Sequence, residues 1–187
     1  MVTRDLVLAA LFAAIIVVLG LLPPIMLGFI PVPITAQSLG VMLAGVVLGA
    51  KRGTIAVLLV LLLAAIGLPV LSGGRGGLAV FAAPTTGYLV GWVAAALVTG
   101  WVSEALVKRE QSGLVQGVGF FVSALLGGVV VLYAFGITYL ALVTGMGFSK
   151  AFLGSFAFIP GDVLKALVAA LAGRAVMVGY PLLPQRA

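Results

Sequence analysis

The sequence predicts an all-α integral membrane protein: a bundle of six transmembrane helices with the N- and C-termini cytoplasmic. Three observations carry that prediction. The first is composition. Of 187 residues, 64% are hydrophobic and only 7% charged, and the mean hydropathy is +1.38, whereas a soluble domain is about a quarter charged. The second is segment length, because the apolar runs approach or exceed the ~20 residues a helix needs to cross a bilayer. The third is the placement of basic residues, which sit at the ends of the apolar runs and therefore read as topology signals. A net charge of +6 arranged in this way points to the lipid bilayer and not to nucleic acid. The chain has no Cys and no His, which removes disulfides, thiol and imidazole catalysis and the usual zinc ligands. Nearly all the mass lies in apolar segments, so residues 1–187 read as a single transmembrane domain, and no metal or cofactor is expected.

The first span runs from about Leu6 to Leu22 and ends at Pro23-Pro24. It follows Arg4 and Asp5 as a signal peptide would, but its length and the spans after it mark it as retained. Ala9, Ala10, Ala13 and Ala14 form overlapping small-xxx-small pairs that let another helix approach closely, inside the bundle or from a partner. From Pro23 to Ile34 the breakers Gly28, Pro31 and Pro33 alternate with apolar residues. Such a connection suits a segment that dips back into the membrane or covers a pocket, since irregular backbone at that depth has to be buried or wetted.

Thr35-Ala36-Gln37-Ser38 opens the second span, which continues to Ala50. Thr35 or Ser38 suits the helix cap. Gln37 needs partners for both its donors and its acceptor, which makes it a candidate hydrogen-bonder to a ligand. Lys51-Arg52-Gly53 reads as a tight basic turn before a short third span, Thr54 to about Gly67. The glycine-rich loop Ser72–Gly77 carries no phosphate-binding signature. Its Arg75 either pairs with a carboxylate or is solvated.

Pro84 suits the first turn of the fourth span, which runs to about Val107. Gly87 clears room for a close approach, and Tyr88 brings a ring and a hydroxyl to the membrane edge. Glu104, Lys108, Arg109 and Glu110 form the next polar turn. Gly113 to Gly147 is then uncharged throughout. It reads as one tilted span with an ordered extension, a second span being the alternative.

Pro160 marks the start of the last helix. Asp162 falls in its first turn, where the helix dipole favours an anion, and Lys165 shares its face. A charge at the bilayer centre costs about 2.5–3.5 kcal/mol on insertion scales. Two readings of the pair stand side by side: a polar substrate site, or a helix-capping ion pair near the membrane surface. Six spans place Arg4, Lys51-Arg52, Lys108-Arg109, Arg174 and Arg186 on one side, with only Arg75 and Lys150 on the other. The positive-inside rule makes the first side cytoplasmic. The polar groups of interest then gather at the outer end. One acid, one ammonium, an amide and hydroxyls suit binding of a small molecule better than catalysis.

Three segments in order, Pro33-Ile34-Thr35-Ala36-Gln37-Ser38-Leu39, Gly87-Tyr88 and Ile159-Pro160-Gly161-Asp162-Val163-Leu164-Lys165, resemble the BioY family, the biotin-specific S-components of energy-coupling factor (ECF) transporters. Thr86 departs from the pattern, where the family more often has a second glycine. The resemblance implies a non-enzymatic, multi-pass protein of the bacterial inner membrane that binds biotin from outside. Its substrate-binding residues would be Asp162, Lys165, Gln37, Gly87, Tyr88 and Thr35. Asp162 would accept from the ureido N–H groups, and Lys165 would donate either to the ureido carbonyl or to the carboxylate. It also implies a transmembrane coupling protein and ABC ATPase subunits as partners, docked through the first helix at Ala9, Ala10, Ala13 and Ala14. The competing expectation is a stand-alone biotin carrier that works without the ATPases.

Overall fold

The structure, a computed structural model, describes residues 3–184. The helices are α1 (Thr3–Gly20), α2 (Gln37–Ala65), α3 (Thr86–Leu106), α4 (Gly113–Leu125), α5 (Leu132–Thr144), α6 (Phe148–Ser155) and α7 (Ile159–Gly179). Among the described residues, extended pairing is confined to two isolated antiparallel bridges, Ile25 with Ile34 and Leu71 with Arg75. Five helical stretches are long and apolar enough to cross a membrane: Thr3–Gly20, Gln37–Ala65, Thr86–Leu106, Gly113–Thr144 and Phe148–Gly179. Large apolar side chains such as Leu6, Leu62, Val130 and Leu171 point outward, as lipid-facing positions do.

The Gln37–Ala65 stretch is broken at Gly49, whose φ of 80° and ψ of −177° lie outside the helical region. That backbone conformation is essentially restricted to glycine. A Cβ on Gly53 would lie 2.7 Å from the Ala44 carbonyl oxygen. In a straight helix those residues would be about 13 Å apart along the axis. The two halves of α2 therefore fold back on each other. The basic turn expected at Lys51-Arg52-Gly53 lies slightly earlier, because Gly49 is the residue able to adopt the reversal and Lys51 to Gly53 already belong to the returning half. Glu104, expected in a polar turn, is buried, and its Oε1 accepts from the Ala50 N–H at 2.8 Å, closing the start of that half.

The uncharged run forms one continuous helical stretch. A π-helical segment, Leu126–Val131, joins α4 to α5, and Gly145 ends it in the left-handed conformation at φ 65°. Gly127 and Gly128 in that segment face Thr99 and Met42, so α3 and α2 both approach its backbone. A short helix that the sequence reading missed, α6, precedes α7. The small residues Ala166, Ala169, Ala170 and Gly173 of α7 are buried against α2 and α4.

The alanines of α1 divide between two faces. Ala9 and Ala13 are buried within the bundle, whereas Ala10 and Ala14 are exposed. Two cores result. One surrounds Ile16, Val60, Trp92 and Tyr133, and the other surrounds Met42, Val46, Phe120 and Met177. The first lies at the end holding the starts of α2, α3 and α7. The second extends towards Gly49.

Gly49→Ala should destabilise the chain by about 1–3 kcal/mol, because the added methyl forces a disfavoured φ and meets the Glu104 carboxylate. Thermal denaturation of the purified chain in detergent checks this, and an unchanged melting temperature contradicts it.

Candidate functional site

The site forms where three helix starts meet two irregular connections. Val32 to Thr35 from the first connection, Leu71 and Arg75 from the second, and Gln37, Ser38, Tyr88, Trp92, Tyr133, Asp162 and Lys165 from the helices line a cavity of about 70 Å³. The first connection lies over the bundle as a cover, with Ile30 and Val32 buried and Phe29 exposed.

Asp162 and Lys165 form the polar centre. Their nearest atoms are 2.8 Å apart, and the two side chains are only 7% and 15% exposed. One turn of helix separates them, which is why the i, i+3 spacing brings them together. Lys165 Nζ donates to Asp162 Oδ1 at 2.8 Å, to the Thr35 carbonyl at 2.8 Å and to Ser38 Oγ at 3.0 Å. These three acceptors match the three donors of an ammonium. Tyr133 donates to the other carboxylate oxygen, Oδ2, at 2.6 Å. Ser38 Oγ also lies 3.5 Å from Asp162 Oδ1. The pair is thus satisfied on both sides in a largely apolar wall, the condition under which buried charges persist.

Thr35 contributes its backbone carbonyl to this network. Ala36 is the N-terminal capping residue of α2 and makes no side-chain cap, so the capping expected of Thr35 or Ser38 is not realised. Gln37 lines the cavity, but its amide is committed elsewhere. Nε2 donates to the carbonyls of Ile16 at 3.1 Å and Val70 at 3.0 Å, and Oε1 accepts from the Ser72 N–H at 2.7 Å. Gln37 therefore ties the end of α1 and the glycine loop to the start of α2.

Tyr88 stands in the wall, edge-to-face with Tyr133 and Phe158 at centroid separations of 6.5 and 6.4 Å. Its hydroxyl lies 3.1 Å from Ser155 Oγ. Ser155 spends its proton on the Ala151 carbonyl at 2.7 Å, so Tyr88 is the donor. Gly87 is not brought to the cavity. A Cβ there would meet the Phe135 carbonyl oxygen at 2.7 Å and the Tyr139 side chain, so its small size serves the contact of α3 with α5.

Sequence reading missed Tyr133, Ser38, Trp92 and Phe158. Tyr133 carried a usable signal, being a hydroxyl in the middle of an uncharged run in a chain with one candidate buried acid. Trp92 and Phe158 carried none beyond hydrophobicity.

Fold and cavity together define a membrane-type helical bundle with a buried polar site set in an aromatic and aliphatic wall. The BioY family model matches residues 1–181, and the chain belongs to that family. It is 79% identical over 187 residues, the full length of both proteins, to the biotin transporter BioY of Rhizobium etli. To the biotin transporter BioY of Rhodobacter capsulatus it is 50% identical over 182 residues, covering 92% of this chain and 93% of that one. A solved structure described as the S-component for biotin from an ECF-type ABC transporter superposes with a TM-score of 0.90 at 35% identity, covering 97% of each chain.

Replacing Gln37 by Leu strands the Ser72 N–H and the Val70 carbonyl and removes the second donor to the Ile16 carbonyl. A loss of at least about 2 kcal/mol of stability is expected from the unpaired groups. A melting temperature like that of the unaltered chain in the same detergent contradicts this tether.

Proposed function

We propose that the chain is the S-component of an ECF-type ABC transporter that binds biotin from the outer side of the bacterial inner membrane. The observation that carries the reading is the Asp162–Lys165 pair at the wall of an otherwise apolar cavity. Biotin matches it group for group. Its ureido ring offers two N–H donors to Asp162 and a carbonyl to a cationic donor, and its sulfur-containing ring and aliphatic chain suit Trp92, Tyr88, Leu89 and Leu132. The names of the relatives and of the matching structure agree with this chemistry. The cavity is smaller than the ~300–1,000 Å³ of most small-molecule sites, so entry requires the wall to move outward. Val32 to Thr35 and Leu71 to Arg75 are its parts outside helices.

Transport energy comes from partners in this reading. ABC ATPases hydrolyse ATP, a transmembrane coupling protein links them to this chain, and the chain itself catalyses nothing. The outward face of α1, including Ala10 and Ala14, is the proposed contact with the coupling protein. Ala9 and Ala13 serve packing inside the bundle instead.

The proposed topology has six crossings and cytoplasmic termini. Its support is the reversal at Gly49, together with the sorting of charge. The end opposite the cavity holds Arg4 beside Tyr180, Arg52 paired with Asp5 at 2.8 Å, and Arg174 beside Gly113. Lys108 and Arg109 follow α3 at that same end. Arg186 lies outside the described residues. Near the cavity end are Arg75, Lys150 and the paired Lys165, and the basic excess at the far end supports a cytoplasmic position for it.

Purified chain alone should bind biotin saturably without nucleotide. Asp162→Asn, Lys165→Ala and Tyr133→Phe should each weaken binding about tenfold or more, as expected for hydrogen bonds to charged groups. Wild-type affinity in all three, measured by calorimetry, rejects this site. The absence of native cysteine permits a clean topology test. Lys150→Cys should react with an impermeant thiol reagent on intact cells, whereas Lys51→Cys and Arg109→Cys should react only after the cells are opened. The reverse pattern overturns the orientation.

A further inference from the structure

We infer that Arg75 holds the ligand's carboxylate, leaving the Asp162–Lys165 pair to recognise the uncharged polar head. The inference rests on the biotin reading of the cavity and settles how the ligand lies in it.

Charge balance makes the first argument. The charged side chains lining the cavity are Arg75, Asp162 and Lys165. Lys165 is neutralised by Asp162 and has all three donors engaged. Arg75 makes no ion pair with a carboxylate among the described residues. Its Nε donates to the Ser72 carbonyl at 3.1 Å and its Nη1 to Thr85 Oγ1 at 3.3 Å. The rest of the guanidinium fork remains available. A monoanion placed there brings the charge of the cavity lining to zero. A monoanion placed on Lys165 would break a satisfied buried pair and leave the half-buried Arg75 uncompensated, which is the costlier arrangement. Guanidinium is also the side-chain group whose geometry fits a carboxylate through two parallel hydrogen bonds.

Rigidity makes the second argument. Leu71 and Arg75 exchange both backbone hydrogen bonds, at 3.0 and 3.1 Å, across a turn that uses Gly73 and Gly74 at φ 77° and 69°. Gln37 grips this turn through the Ser72 N–H, and Ser72 Oγ reaches the Leu22 carbonyl at 3.4 Å. The guanidinium is thus mounted on a braced turn at the cavity rim and fixed from the other side by Thr85. A solvated loop residue has no need of that bracing.

The test compares biotin with biotinamide, in which the carboxylate is replaced by a neutral amide. The wild-type chain should bind the acid about tenfold to a hundredfold more tightly than the amide, the usual range for a charge-assisted contact. In Arg75→Gln that preference should collapse, with Arg75→Lys retaining part of it. Lys165→Ala should weaken acid and amide alike. The assignment is overturned if Arg75→Gln keeps the full preference, or if the preference disappears in Lys165→Ala instead. Melting temperatures of the variants separate a lost contact from a lost fold. Failure of the wild-type chain to bind either compound overturns the biotin reading itself, an outcome distinct from equal binding of both.

Discussion

The site depends on an ion pair that cannot stand alone. Asp162 and Lys165 are withdrawn from water inside a bundle that is 64% hydrophobic by sequence. Coulomb attraction between two desolvated charges often fails to repay their dehydration. Here the remaining hydrogen-bonding capacity is filled by Tyr133 from α5, Ser38 from α2 and the Thr35 carbonyl from the covering connection. Two distant parts of the chain, residues 35–38 and Tyr133, are thereby drawn to one point on α7. The same bonds that make the charges tolerable also define the position of the cavity.

A second tether explains why the covering segments sit where they do. Gln37 answers the end of α1 and the glycine loop at once, with each of its groups meeting a backbone partner. Gly20 leaves room for it, since a Cβ there would lie 2.7 Å from Nε2. At the opposite end the reversal at Gly49, sealed by Glu104, returns the second half of α2 alongside the first. Without that reversal Gln37 and Val70 would be too far apart to bond. One glycine in the chain thus governs a contact near the far end of the bundle.

The apolar helical stretches, the helix start at Pro160 and the Asp162–Lys165 pair were legible because they follow from local rules: hydropathy length, proline at a first helical turn and residue spacing. Gln37 was legible as a polar group in need of partners. Its partners were not, since backbone carbonyls are invisible in a sequence. For the same reason Thr35 read as a cap when it acts through its carbonyl. Gly87 read as space for a ligand and proves to be space for Phe135 and Tyr139. A glycine announces a close approach without naming the neighbour, which only tertiary packing supplies. Tyr133 became meaningful only once a π-helical segment and two helices set it against Asp162.

The field around the cavity follows from the same layout. The starts of α2, α3 and α7 all reach it, through Gln37 and Ser38, Thr85 and Tyr88, and Phe158 and Asp162. Each helix start carries a partial positive charge that falls off within about one turn. Their convergence steadies the Asp162 carboxylate and adds to the positive potential already supplied by Arg75. A neutral polar head can rest against Asp162 and Lys165 without disturbing that balance, whereas a further cation would add to the positive charge of Arg75 and Lys165. The direction of the helices thus adds to the positive potential that the charged side chains set up around the cavity.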